Sequence, residues 1–146
     1  MIKVASALIV YKHKLLLHLR DNKHPDPNLR NKWGLVGGTI EKDENPLTAV
    51  LREVKEEANL TPQKVNYTSK FGIDKPNDKV EVKLFCAELS DSEASLLKLG
   101  NEGLAVKFFS TSEIPDLPLS PEVKKYYSEN QRDIEAFIDN GISLNK

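Results

Sequence analysis

The hydrophobic pattern opens with two apolar, partly β-branched runs, residues 4–11 and 15–20, separated by the polar triplet Lys12, His13 and Lys14. Two such runs around so short a polar break predict a β-hairpin. The first run is too short to cross a bilayer, and the second follows too closely for a cleaved leader, so the chain is expected to be unprocessed. Residues 21–32 are polar and carry Pro25 and Pro27, a length that suits either a loose excursion or a substrate-facing loop. Residues 33–36 then read as a short buried strand, ended by Gly37 and Gly38.

Asn45 followed by Pro46 predicts a helix start, because Asn caps well and proline lacks the N–H that a first turn leaves unpaired. The helix runs to about Ala58, with Leu47, Val50, Leu51, Val54 and Ala58 as one apolar stripe at spacings of three and four. Residues 64–71 and 80–89 predict strands on either side of a turn region at 72–78, and residues 106–110 predict one more. A last helix is expected from a Ser120 cap and Pro121 to a stop at Gly141. Val123, Tyr126, Tyr127, Ile134, Phe137 and Ile138 form its apolar face, which is either all core or partly an interface. No repeat or linker interrupts the chain, and a single domain over residues 1–146 is expected.

Composition narrows the function classes. The 21 Lys and Arg balance 22 Asp and Glu for a net charge of −1, which argues against a polymeric nucleic acid held by massed basic residues. A small charged ligand stays open. Cys86 is the single cysteine, so an internal disulfide and a thiol-rich zinc site are excluded and a reducing cytoplasm is the expected compartment.

The acids are unevenly spread. On the helix that starts at Pro46, Glu53, Glu56 and Glu57 fall within an arc of about 100°, read as a face well away from the Leu47, Val50 and Val54 stripe. They crowd toward the negative end of the helix dipole, and the Glu53–Glu57 pair is repulsive. An ordinary solvated face interleaves opposite signs, yet Arg52 is the only nearby compensation. A hard divalent cation such as Mg²⁺ accounts for three clustered carboxylates better, and it is usually shared with substrate phosphate.

The spacing extends outward as Gly38, five residues, Glu44, seven residues, Arg52–Glu53, two residues, Glu56–Glu57, one residue, then Asn59–Leu60. This closely resembles the Nudix box, the signature of hydrolases that act on nucleoside diphosphates linked to another moiety. Asn59 stands where the pattern has its last glycine, and Asn is the residue that best tolerates a left-handed helix end after glycine. Val36 stands where the family often has proline. Outside the box, Trp33–Gly34–Leu35, Glu102–Gly103, Phe108–Phe109 and Glu113–Ile114–Pro115 sit where small MutT-like members have comparable features.

The resemblance implies a fold of the α/β (α+β) type, a mixed β-sheet sandwiched between helices with the loop–helix–loop of the box at one end. It implies Mg²⁺, with Mn²⁺ as the alternative, held by Glu53, Glu56 and Glu57, with the Gly38 carbonyl and Glu102 as further ligands. Glu53 is ligand or general base, Glu57 belongs to the same catalytic set, and Arg52 orients a glutamate rather than touching substrate. Glu44 is either an exposed acid near a helix start or an accessory support. Arg20 and Trp33 are candidate substrate contacts, although aromatics on strands usually pack in the core. His13, His18 and His24 are expected in a turn, on a strand surface and in a loop. The implied reaction is hydrolysis of a pyrophosphate bond in a nucleoside triphosphate or oxidised nucleotide. An ADP-ribose or nucleotide-sugar pyrophosphatase is the alternative, toward which Pro76 points weakly, and a non-catalytic nucleotide-binding protein is a third reading. The expected partner is a small nucleotide, without membrane or polymeric nucleic acid; oligomeric state stays open, a homodimer included.

Overall fold

The computed structural model describes residues 1–75 and 78–141, so Pro76 lies outside the described residues. The opening hairpin forms as expected, β1 (Ile2–Tyr11) pairing antiparallel with β2 (Lys14–Leu19) through Val10–Leu15 and Tyr11–Lys14. Lys12 and His13 both take positive φ, 47° and 64°, which lets a two-residue turn follow the right-handed twist of its strands. The remaining strands are β3 (Trp33–Gly34), β4 (Val36–Thr39), β5 (Asn66–Lys75), β6 (Asp78–Glu88) and β7 (Ala105–Phe109). The path β3-β2-β1-β6-β5 carries two branches, β4 on β1 and β7 on β2.

β1 organises this sheet. Along one edge it runs parallel to β6 from Ile2–Val80 to Val10–Glu88. Its other edge is divided, with Val4–Ala7 paired to β4 and only the last residues paired to β2. The sheet therefore opens between β4 and β2. The expected strand at 33–36 is in fact two short ones, and the glycines do not end it: Gly37 and Gly38 lie inside β4 opposite Ser6 and Ala5. Gly37, at φ 147°, runs so close to the Ala5 carbonyl and Ser6 that no side chain fits. β5 and β6 also extend further than expected, continuing through Gly72 to Lys75, with an irregularity between Tyr67 and Ser69.

Alternation along β1 sends Ala5, Ala7 and Ile9 to one face and Leu8 and Val10 to the other. Helix α1 (Pro46–Ala58) packs on the first face through Ala49, Val50, Val54 and Ala58. Its start is the expected one, with Asn45 accepting from the Thr48 N–H at 2.8 Å. The stripe, however, is rotated from the expectation. Leu47 and Leu51 are 43% and 37% exposed, while Ala49 is fully buried. At 100° per residue the buried arc centres near Val50 and Glu57, which lie only about 20° apart. The carboxylates and the apolar stripe are thus neighbours, not opposite faces.

A short helix, α2 (Asp91–Ala94), closes this face with a full capping box between Ser90 and Glu93. On the second face the expected single helix is two, α3 (Pro121–Glu129) and α4 (Gln131–Asn140). Asn130 leaves helical geometry at φ −126° and donates its side-chain amide to the Tyr126 carbonyl, satisfying the end of α3 without a further turn. Ser120 begins α3 without a side-chain cap; its N–H instead donates to the Trp33 carbonyl at 2.8 Å. Gly141 ends α4 in the left-handed conformation as expected. Val123, Tyr127, Ile134, Phe137 and Ile138 are buried there with Leu8, Leu17 and Phe109, and Tyr126 packs at the edge. Among the described residues no helix is long and apolar enough to cross a membrane.

Candidate functional site

Where β4 leaves β2, α1 presents Glu53 and Glu57 to a cleft of about 450 Å³. Its walls are Gly37 and Gly38 of β4, His18 of β2 with Arg20 just beyond it, Asp21 and Lys23–Pro25 of the polar excursion, and Glu102 with Gly103 from the loop before β7. The excursion is pinned at its ends by hydrogen bonds between Arg20 and Asn31 and between Arg20 and Lys32. It is therefore a compact loop beside the cleft.

Glu57 is deeply placed. Its Oε1 accepts the Gly37 N–H at 2.7 Å, and its Oε2 lies 3.2 Å from His18 Nδ1. Burial pushes its carboxyl up to about 7, and the neighbouring charges of Glu53 and Glu102 add to this; the Arg20 charge and the Gly37 N–H act in the other direction. Burial also raises Glu53, with Arg52 opposing. Glu53 lies so close to Gly38 that a Cβ there would stand 2.5 Å from the carboxyl carbon. A side chain at that position would displace the Glu53 carboxylate.

Arg52 holds the acids in place. Its Nε and Nη2 donate to the two oxygens of Glu44 at 2.9 and 3.0 Å, and its Nη1 donates to Glu53 at 2.8 Å. Nη2 also reaches the Thr39 carbonyl, tying the helix to β4. The two-pronged contact holds Glu44 down to about 2. Glu44 is thus a partner of Arg52, the second of the two readings of that residue. Glu56 turns outward, 59% exposed and 3.5 Å from Arg52 Nη1, and is not among the residues lining the cleft.

The C-terminal end of α1 carries the remaining loop. Asn59 adopts the left-handed conformation at φ 59° that the sequence departure requires. Lys98 and Gly100 donate to the carbonyls of Ala58 and Glu57. Gly100 packs directly on the Glu56 carbonyl, leaving no room for a Cβ. This docking delivers Glu102 to the cleft.

Arg20 donates to the carbonyls of His18 and Leu35 and lies between the cleft and a smaller apolar compartment of about 140 Å³. Leu29, Ile73 and the stacked rings of Phe71 and Tyr126, 4.6 Å apart, line that compartment. Lys75 lies on its wall and pairs with Asp26 at 2.7 Å and Glu122 at 3.1 Å. Trp33, by contrast, is packed edge-on against Phe109 at 4.7 Å, and it is absent from the lining of both compartments.

Among the sequence expectations, that of a strand-surface His18 fails. The imidazole is only 2% exposed and faces the cleft. The available signal was its position: His18 occupies the slot two residues after Leu16, which points to the α1 side of the sheet. His13 and His24 do lie in the turn and the loop.

Among the described residues no three His, Cys, Asp or Glu side chains already converge as a complete metal shell. The donor chemistry nonetheless fits a hard divalent cation. Glu53 and Glu57 offer oxygens whose ionisation is held back by burial, Glu102 stands at the same cleft, and a bound cation would supply the missing countercharge.

A mixed sheet between helices, with a carboxylate-bearing helix and its flanking loops at the opening of the sheet, defines a class of proteins whose chemistry rests on one loop–helix–loop element. The chain belongs to the NUDIX domain family, whose profile matches residues 1–129. The 8-oxo-dGTP diphosphatase of Escherichia coli is 32% identical over 68 residues, which cover 47% of this chain and 53% of that protein. The chain spans about half or less of the length of the curated relatives it matches, 53% and 13%. The MutT protein from Methanosarcina mazei superposes with a TM-score of 0.76 at 23% identity, covering 90% of this chain and 94% of that one. The NUDIX domain of Shewanella oneidensis NrtR, solved with ADP ribose, superposes with a TM-score of 0.73 at 20% identity, covering 89% and 86%. At these identities the two structures establish the fold.

Proposed function

We propose that this chain is a hydrolase that cleaves a phosphoanhydride bond of a small nucleotide with the help of Mg²⁺, a nucleoside triphosphate or its oxidised form being the preferred substrate. The observation that carries this reading is the pair Glu53 and Glu57, both desolvated in one cleft beside Gly38 and Glu102. Similarity to a protein named 8-oxo-dGTP diphosphatase supports the substrate class.

A bound ion would be held by Glu57, Glu53 and Glu102, with the Gly38 carbonyl as a further donor and Glu56 joining only on turning its side chain inward; it would supply countercharge to the phosphate oxygens. Glu53, whose proton affinity is raised by burial, accepts the proton of the attacking water. The oxygen of that water forms a bond to phosphorus, the P–O bond to the leaving phosphate breaks, and the leaving group departs with the electron pair. Arg52 keeps Glu53 oriented through its 2.8 Å hydrogen bond and takes no part in the bond changes. In this reading Arg20, which lines both compartments, meets a phosphate and the apolar compartment takes a flat base beside Phe71 and Tyr126.

Initial rates with Mg²⁺ on a panel of nucleoside triphosphates, oxidised nucleotides, ADP-ribose, nucleotide sugars and dinucleoside polyphosphates test this. The expected result is fastest release from the triphosphates, with Glu53→Gln slowing it roughly 10²–10⁴-fold. Near wild-type rates in Glu53→Gln overturn the assignment of the base.

A further inference from the structure

We propose that His18 is a positioning residue that holds the backbone of Glu102 directly, and the carboxylate of Glu57 through the Arg20 guanidinium, in register across the cleft. The inference rests on the reading of Glu57 and Glu102 as cation ligands. His18 lies on β2 between Gly34 and Val106, in an alternating slot that an apolar side chain would fill at lower desolvation cost. The ring is instead engaged at both nitrogens. Nε2 lies 3.1 Å from the Glu102 carbonyl, and Nδ1 lies 3.1 Å from Arg20 Nη1 and 3.2 Å from Glu57 Oε2.

The chemistry of these partners assigns the protons. A carbonyl can only accept, so Nε2 carries the hydrogen and donates it to Glu102. Nδ1 of the neutral ring then accepts from the guanidinium of Arg20, which brings that positive charge up to Glu57. Burial and the Arg20 charge lower the proton affinity of the ring. Gly103 presses against the ring at φ 91°, so close to Nε2 that a Cβ is excluded.

The loop needs such a hold. It is fixed to α1 at Lys98 and Gly100 and to β2 at Leu104, whose N–H reaches the Leu19 carbonyl. Between those anchors the peptide carrying Glu102 is secured by His18. Glu57 sits on a helix and Glu102 on a loop, and two carboxylates serve one cation only if their separation is fixed. His18 therefore does for the distal acid what Arg52 does for Glu53.

The contacts can be separated by substitution. His18→Gln places an amide nitrogen near the Nε2 position and keeps the bond to Glu102; His18→Asn reaches only the Nδ1 position and loses it; His18→Leu loses both. The full-length protein, without substrate, is titrated with Mn²⁺ and free ion is read by electron paramagnetic resonance, with thermal denaturation in chelator measured in parallel. His18→Leu and His18→Asn are expected to weaken Mn²⁺ binding by about 10–100-fold, and His18→Gln to recover most of that loss. Leu17→Val, on the opposite face of β2, is the control: it should lower the melting temperature without changing Mn²⁺ affinity. Unchanged affinity in the folded His18 variants, equal losses in Gln and Asn, or losses that track melting temperature along with the Leu17 control overturn the inference. If His18→Leu does not fold, the contrast between Gln and Asn decides. Wild-type protein that fails to bind Mn²⁺ overturns the cleft reading itself and this inference with it.

Discussion

Replacing Glu57 by Gln should make the metal-free protein more stable, although it removes a central residue of the cleft. The carboxyl is only 12% exposed, and burial moves it from an ordinary value near 4.5 up to about 7. Because the folded-state value is the higher one, the unfolded chain releases its proton first as pH rises. The stability that Glu57 contributes is complete below about 4.5 and is lost as pH climbs through about 7. The separation of these two values corresponds to about 3 kcal/mol. Glutamine keeps the shape, and its oxygen can still accept the Gly37 N–H. It does not ionise. Urea denaturation in chelator should therefore find Glu57→Gln ahead of wild type by less than about 1 kcal/mol at pH 5 and by about 3 kcal/mol at pH 8. Comparing the two proteins at one pH cancels to first order the other titrating groups. Excess Mn²⁺ should then cancel most of the advantage at pH 8, since wild type gains about 2.7 kcal/mol at one hundred times the dissociation constant and the variant gains far less. A variant no more stable than wild type at pH 8 in chelator would refute the claim that Glu57 is held ionised against its burial.

Further outcomes follow from the packing around α1. Gly38→Ala should lose turnover out of proportion to its loss of stability, because the new Cβ meets the Glu53 carboxyl at 2.5 Å; initial rates and melting temperatures measured together check this. Asn59→Ala should be less stable than Asn59→Gly by about 1 kcal/mol in urea, since only the former pays for the left-handed conformation at φ 59°. Arg52→Lys should reduce kcat with little effect on the melting temperature, because an ammonium cannot grip both oxygens of Glu44 and also reach Glu53. Gly100→Ala should cost about 1–3 kcal/mol in thermal or urea unfolding, as the loop must lift from the Glu56 carbonyl.

Local chemistry made several of these features readable in the sequence. Asn45 and Pro46 start α1, Asn59 ends it, and the two apolar runs around Lys12, His13 and Lys14 make the opening hairpin, each through an interaction spanning a few residues. Features that depend on distant partners were harder to read. The sequence places Leu47 and Leu51 on the apolar stripe by spacing, yet the sheet that α1 meets is small there and takes Ala49 and Glu57 inward instead. His18 looks like a polar interruption of a strand until the loop from residues 98–103 arrives over it. The break at Asn130 carries no proline or glycine to announce it, because a side-chain hydrogen bond to Tyr126 does the work. Within the box, spacing places the glutamates on one helix, but Arg52 and burial set which way each one turns.

The divided edge of β1 also fixes when the cleft can exist. Its walls are set by β1 against β6, with Leu8 beside Cys86, and by β2 against β7, with Leu17 beside Lys107. These pairings join the first twenty residues to segments far along the chain, and contacts of such high sequence separation form late and slowly. During synthesis Glu53 and Glu57 thus emerge on a helix with little sheet to bury them, as ordinary solvated carboxylates. They acquire their raised proton affinity only when β6 and β7 have been made and the loop carrying Glu102 can close on His18. The arrangement proposed for a divalent ion would therefore be completed only in the final stage of folding.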